Sequence, residues 1–209
     1  MLEQRREEWF KYRAGKFTAS DIHRMLGKEG LKKTKDSIDN YAFEKAVESL
    51  YGVEEQEGFI SKDIERGITL EPLAFRRFKE LKEFEFLEVK ESTFIPYCNH
   101  SGATPDGYVS DNSNLEIKCP RRVKFFKMIS KGLEEISNQY YCQMQMQMLC
   151  SETEKTYFFN YYIEKGIEYW HEIIVNRNES LIDLIKTRLN QSIEIKLEYI
   201  EKINKNIQC

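Results

Sequence analysis

The stretch from Pro105 to Lys118 constrains this chain more than any other. Pro105-Asp106-Gly107 is a turn signal and Tyr108-Val109 is strand-like. Asp111-Asn-Ser-Asn114 is a second turn signal, and Leu115–Cys119 reads as a short strand. Residues i and i+2 of a strand point to one face, so Glu116 and Lys118 project together and face Asp106 on the neighbouring segment. Ile117 then points into the core, its backbone carbonyl still available to a ligand. Two carboxylates and an ammonium brought together in this way suit phosphodiester hydrolysis. The acids make a hard-oxygen site for magnesium. A bound ion activates water and offsets developing charge, and Lys118 stabilises the transition state or orients the water. Taken alone, the pattern fits equally well a surface turn followed by a charge pair on an exposed strand.

The surroundings of this segment set the fold class. Helices are predicted over 3–12, from the Thr18/Asp21 capping pair to a stop at Gly27, over 40–51, and over about 62–82. Pro72 is best tolerated in a first turn, so the last of these is expected to restart at Glu71. Residues 84–97 are rich in aromatics and β-formers. Helices are predicted over 121–131 and 138–150, strands over 155–163 and 167–175, and a closing helix over about 179–203. Only 4 Pro and 10 Gly occur and no linker-like stretch divides the chain. The expectation is one α/β (α+β) domain over residues 1–209, with a central mixed β-sheet flanked by helices and an N-terminal helical segment. The 12 Tyr and 13 Phe are read mainly as core. Met144 and Met148 are assigned to the core as well, on a face separate from Gln139, Gln143 and Gln147.

Charge and cysteine content narrow the function. The net charge is −3, so a nucleic-acid partner requires concentrated basic residues. Lys118, Arg121, Arg122, Lys124, Lys127 and Lys131 meet that requirement, with no acid between Ile117 and Leu133. Lys28, Lys32, Lys33 and Lys35 form a second cluster. Either run also fits a solvated face. The five cysteines are odd in number and form no CxxC pair, against a disulfide framework, a closed zinc site or a four-cysteine iron–sulfur cluster. Reduced thiols in a cytoplasmic protein are expected. No stretch approaches a membrane span, and the N-terminus lacks an apolar signal region. His23 and His100 carry no assigned chemistry.

Several ordered segments resemble the lambda-exonuclease/YqaJ viral recombinase family of the PD-(D/E)xK nuclease superfamily. They are Arg13-Ala-Gly-Lys-Phe-Thr-Ala-Ser20, Gly67-Ile-Thr-Leu-Glu71, Ser101-Gly-Ala-Thr-Pro-Asp-Gly107, Leu115-Glu-Ile-Lys-Cys-Pro120 and Tyr140-Tyr-Cys-Gln-Met-Gln145. Tyr157-Phe-Phe-Asn-Tyr-Tyr162 follows at family-like spacing. The resemblance spans about residues 9–165 and implies a restriction-endonuclease-like core.

The resemblance also implies roles for individual residues. Asp106, Glu116 and the Ile117 carbonyl would ligate Mg2+ (Mn2+ substituting), with Glu71 near a second ion. Lys118 would be the catalytic lysine, and Gln143 would help place the attacking water. Arg13, Ser20, Thr104 and Lys124 would hold the 5′-phosphate of a DNA end. Lys62 and Ile64 would split the terminal base pair, and Arg121 and Arg122 would bind DNA. The chain departs from the family at Thr104, where Ser can stand, near an Arg position at Lys124, and in a 28–35 loop that carries lysines in place of a groove-reading arginine. The implied activity is a 5′-to-3′ exonuclease that degrades one strand of linear duplex DNA to mononucleotides and leaves a 3′ overhang. The implied partners are further copies in a homotrimeric ring and a single-strand-annealing recombinase, in a bacterial or phage-infected cell. Alternatives from the residues are a PD-(D/E)xK endonuclease of restriction or repair type, or an inactive DNA-recombination scaffold.

Overall fold

The computed structural model describes residues 12–26, 35–53 and 62–207. The helix predicted over 3–12, apart from Tyr12, the stop at Gly27, and Lys28, Lys32 and Lys33 lie outside these residues. Lys35 is described only as the first residue of a helix. In chain order the elements begin with β1 (Phe17–Thr18), a 3-10 turn (Ala19–Asp21), α1 (His23–Leu26), α2 (Lys35–Tyr51) and α3 (Lys62–Phe84). Five short strands follow: β2 (Val89–Glu91), β3 (Ile95–Cys98), β4 (Ser101–Ala103), β5 (Gly107–Val109) and β6 (Ser113–Lys118). The chain continues with α4 (Arg122–Lys131), a 3-10 turn (Gly132–Glu135), α5 (Asn138–Ser151), β7 (Lys155–Glu164), β8 (Ile167–Asn176) and α6 (Glu179–Asn206).

The strands form two sheets. The larger has five strands in the order β2-β5-β6-β7-β8, and it is mixed because β6 and β7 run parallel while the other pairs are antiparallel. The smaller has the order β1-β4-β3, with β1 parallel to β4 through only Phe17↔Ser101 and Thr18↔Gly102. This small sheet, which the sequence did not suggest, ties the N-terminal segment to the strand that leads into Asp106. Gly102 is required there. A Cβ would meet the Phe94 ring at 2.4 Å and the Ile95 carbonyl at 2.6 Å.

Alternation along β6 and β7 divides the core. Leu115, Ile117, Tyr157, Phe159 and Tyr161 face α3 and pack with its Leu70, Ala74 and Phe78. Phe158, Ile173 and Val175 face the opposite side and meet Met128 of α4 and Met144 and Met148 of α5. The other side of α5 (Cys142, Met146, Leu149) joins a third cluster with Phe17, Ile22, Tyr41 and the α6 residues Ile182, Ile185 and Leu189. The α5 helix is therefore buried over most of its circumference because it lies between two layers, with Gln145 and Gln147 among its buried residues. Met144 and Met148 are core, as predicted.

The predicted central sheet and flanking helices stand, with local corrections. The α3 helix runs straight through Pro72 and does not restart at Glu71. The lost backbone bond is offset by burial of Leu70, Ala74, Phe78 and Lys82, one residue per turn on one face. The Thr18 hydroxyl lies against Ser20 Oγ at 3.2 Å and makes no helix cap. The aromatic stretch 84–97 begins with the last residue of α3 and then holds two short strands, and its Phe84 and Phe86 are exposed rather than core. Among the described residues no helix is long and apolar enough to cross a membrane.

Candidate active site

Asp106 and Glu116 are brought together by register. Gly107 pairs with Leu115, so Asp106 stands one step further, opposite Glu116. Two bonds fix it there. The Asp106 N–H donates to the Leu115 carbonyl at 2.9 Å, and Asp106 Oδ2 accepts the Ile117 N–H at 2.6 Å. The Ile117 side chain is buried in the α3-side core, yet Ile117 lines the cleft, so its backbone is the part that faces the site.

Glu116 is only 1% exposed, and each of its carboxylate oxygens is held. Oε1 accepts from Gln143 Nε2 at 2.8 Å and from Lys118 Nζ. Oε2 accepts from Gln147 Nε2 at 2.6 Å. Gln143 and Gln147 are one turn apart on α5, so one helical face supplies both amides. Lys118 also lies 4.8 Å from the Tyr140 ring centroid, with Lys124 Nζ 4.9 Å from the same ring.

The electrostatics follow from this crowding. Burial pushes the Asp106 carboxyl well above the usual carboxylate range, reinforced by the charges of Glu116 and Glu71 and opposed by Lys118 and the Ile117 N–H. Burial works against the Lys118 ammonium, but Glu116 and Asp106 outweigh it and raise its pKa. Burial pushes the Cys119 thiol up to about 12, which keeps this cleft residue in the unreactive thiol form.

These groups line one cleft of about 730 Å³. Of the residues singled out in the sequence, Asp106, Glu116, Ile117, Lys118, Glu71, Gln143, Arg13, Ser20, Thr104, Lys124, Ile64 and Arg121 all border it. Two do not. Lys62 is exposed at the start of α3, outside the cleft lining. Arg122 turns to the Tyr162 hydroxyl and pairs with Glu164 on β7. Arg13 is half-buried, and burial lowers its pKa against the pull of Asp21 and Tyr41. Arg121 Nε contacts Asp63 Oδ1 at 2.7 Å, with both side chains largely exposed. Exposed Ile64 and Ile68 give the α3 wall an apolar ridge.

Sequence reasoning missed Gln147, Tyr140, Asp63 and Asn160. The Gln147 signal was its place one turn beyond Gln143. Tyr140 and Asn160 stand inside segments that carry the resemblance but had no role assigned, Asp63 carries no local pattern, and all three meet the site only through tertiary packing. Among the described residues no three His, Cys, Asp or Glu side chains converge into a ready-made metal cage. The donors still suit a hard divalent cation. The two acids and one carbonyl offer oxygen only, and Asp106, Glu116 and Glu71 leave an excess of negative charge beside Lys118. Magnesium keeps most of its waters and needs few protein oxygens.

A mixed sheet with helices on both faces, carrying Asp106, Glu116 and Lys118 in one cleft, defines the chain as a PD-(D/E)xK-type nuclease fold. More narrowly, the chain belongs to the YqaJ-like viral recombinase domain family, which matches residues 8–154. It is similar to the crystal structure of an alkaline exonuclease from Laribacter hongkongensis, with 29% identity, 96% of this chain and 97% of that chain covered, and a TM-score of 0.79. The same enzyme in complex with dAMP aligns at 28% identity with a TM-score of 0.77, over 96% and 97% of the two chains. A phage related exonuclease from Haemophilus somnus 129PT shares the fold at 19% identity and a TM-score of 0.68, over 91% and 96%. No curated protein matches the chain.

Proposed function

We propose that the chain is a magnesium-dependent 5′-to-3′ exonuclease that hydrolyses one strand of linear duplex DNA to mononucleotides and leaves a 3′ overhang. The observation that carries this reading is the single cleft that joins Asp106, Glu116 and Lys118 to an anion-suited wall of Arg13, Ser20 and Thr104. The likeness to an alkaline exonuclease, and that enzyme's complex with dAMP, support the choice of exonuclease over other nucleases.

Asp106, Glu116 and the Ile117 carbonyl would hold the metal, with Glu71 near a second position. A bound Mg2+ supplies Lewis-acid polarisation of the phosphoryl oxygen and a more acidic water. Lys118 places a preorganised positive charge where negative charge develops in the transition state. Gln143, already bonded to Glu116, has an amide edge at the cleft to orient the attacking water. Arg13 offers a bidentate fork to a terminal 5′-phosphate, with Ser20 and Thr104 as hydroxyl partners and Lys124 as a further cation. The Thr104 hydroxyl is buried without a hydrogen-bond partner among the described residues, a group suited to a ligand oxygen. Ile64 stands where it can wedge the terminal base pair, and Lys62, outside the cleft lining, would act on DNA before the strand enters. Arg121 would exchange Asp63 for a backbone phosphate. Arg122 would need to leave Glu164 to do the same. Processivity would come from a homotrimeric ring that traps the product strand, and a single-strand-annealing recombinase would load on the exposed 3′ strand. The setting would be the cytoplasm of a bacterial or phage-infected cell.

The test is an end-labelled linear duplex with Mg2+, with and without a 5′-phosphate. Rapid release of 5′ label as mononucleotide, with closed circles untouched, is expected. Internal fragments or cut circles would mean an endonuclease instead. No degradation at all, with Glu116→Gln indistinguishable from the parent, would mean a binding scaffold.

A further inference from the structure

Gln147 stands out among polar side chains near the cleft because it does not line it. It is fully buried on α5, behind Glu116, where it cannot reach a bound strand. Its Nε2 donates to Glu116 Oε2 at 2.6 Å and lies 3.4 Å from the Thr104 carbonyl. Its Oε1 has no hydrogen-bond partner among the described residues. A buried amide with an unsatisfied oxygen weakens a core, and the neighbouring Met144, Met146 and Met148 show that an unbranched apolar chain suits this helix. The amide therefore serves something other than packing.

What it does follows from its two contacts. Glu116 is on β6, and Thr104 lies two residues before Asp106. One amide thus bridges the two segments that carry the acidic pair. Gln143 and Lys118 share Oε1, whereas Gln147 donates to Oε2, and it fixes the rotation of the carboxylate. We infer that Gln147 is a positioning residue that sets the orientation of Glu116, and its spacing from Asp106, for divalent-cation binding. This rests on the metal-dependent nuclease reading above. Groups that orient a metal ligand from behind shift metal affinity by roughly 10–100-fold when removed.

The experiment measures Mn2+ binding by calorimetry without DNA, and kcat and KM on linear duplex, for the parent, Gln147→Met and Met148→Leu. Gln147→Met keeps the length and shape of the side chain and deletes the donor. Mn2+ affinity is expected to fall about 10–100-fold and kcat to fall with it, with KM for DNA unchanged. Met148→Leu, a neighbouring core change that leaves the three hydrogen bonds to Glu116 in place, is expected to keep parental metal affinity. If Gln147→Met does not fold, Gln147→Asn replaces it; its amide ends one methylene short, and the same loss is expected. Affinity and kcat within twofold of the parent would overturn the role of Gln147 while leaving the nuclease reading standing. Equal losses in Gln147→Met and Met148→Leu would reduce it to packing and overturn it too. A parent that neither binds Mn2+ nor cuts DNA would overturn the nuclease reading itself, and this inference with it.

Discussion

Replacing Lys118 with methionine separates the chemical role of the ammonium from its structural one. In the folded protein the ammonium touches Glu116 Oε1, faces Asp106 and lies 4.8 Å from the Tyr140 ring. The methionine stem fills most of the same space, so little packing is lost. Glu116 loses its charged partner but keeps two amide donors, Gln143 at 2.8 Å and Gln147 at 2.6 Å. The stability loss is therefore that of one hydrogen bond to a charged group, about 1.5–3 kcal/mol, rather than the larger cost of a stranded buried charge. For a chain of this size that is a fall in Tm of roughly 3–12 °C. The pKa of Lys118 is raised in the fold, so its contribution is fully present below the ordinary lysine pKa and fades only as pH rises through the higher folded value. The comparison at pH 7–8 is thus at full effect. The catalytic loss is separate and larger, about 10²–10³-fold in kcat/KM for a preorganised charge aimed at the transition state. The assay is single-turnover cleavage of linear duplex well below both Tm values, beside thermal melts in EDTA and in Mg2+. Cleavage within tenfold of the parent, from a variant with the expected Tm, would refute a chemical role for Lys118 and leave it as a structural partner of Glu116.

Arg13→Ala should raise KM for 5′-phosphorylated ends by about 10–100-fold, the worth of a charge-assisted pair, and erase discrimination against 5′-hydroxyl ends; equal losses on both ends would remove Arg13 from the phosphate pocket. Phe78→Ala, which deletes a fully buried ring packed against Tyr157 and Phe159, should cost about 3–5 kcal/mol and lower the denaturant midpoint while leaving its slope unchanged. Lys196 is held down to about 8 by burial and by Lys16 and Lys45. Its folded pKa lies below the unfolded one, so the penalty is full below pH 8 and is relieved as pH rises towards the unfolded value. The Tm of the parent should therefore rise relative to Lys196→Met between about pH 8 and 10; parallel melting curves across that window would show that Lys196 stays charged in the fold.

Most of the secondary structure was legible because its signals are local. The alternation in β7 and β8 and the turn at Asn112 gave elements whose ends moved by only a residue or two. The α3 helix was misjudged at Pro72 because the local cost of proline is visible in sequence and the packing that offsets it is not. Phe84 and Phe86 were read as β-forming residues, yet they sit where α3 ends and Phe86 takes a positive φ of 59°. Within the site, Asp106, Glu116 and Lys118 were readable because a turn and a two-residue spacing decide which face they share. Gln147 was placed on the face of Gln143 but given no role, because its importance depends on a strand that α5 meets only in three dimensions. Arg122 was grouped with its basic neighbours by sequence, but Glu164 is within its reach and turns it away from the cleft.

The two-pair ladder between β1 and β4 acts as a length gauge. It holds the backbone leading to Ser20 against the backbone leading to Asp106, and so fixes how far the phosphate-suited wall stands from the acidic pair. Sliding that ladder by one residue would displace one wall by about 3.3 Å, close to the ~3.4 Å rise of one nucleotide along a DNA strand. On the proposed reading, the size of the bite taken from a DNA end is therefore written in two backbone pairings, while Gly102, where no side chain fits, lets β4 pack closely under Phe94 and Ile95 on its other side.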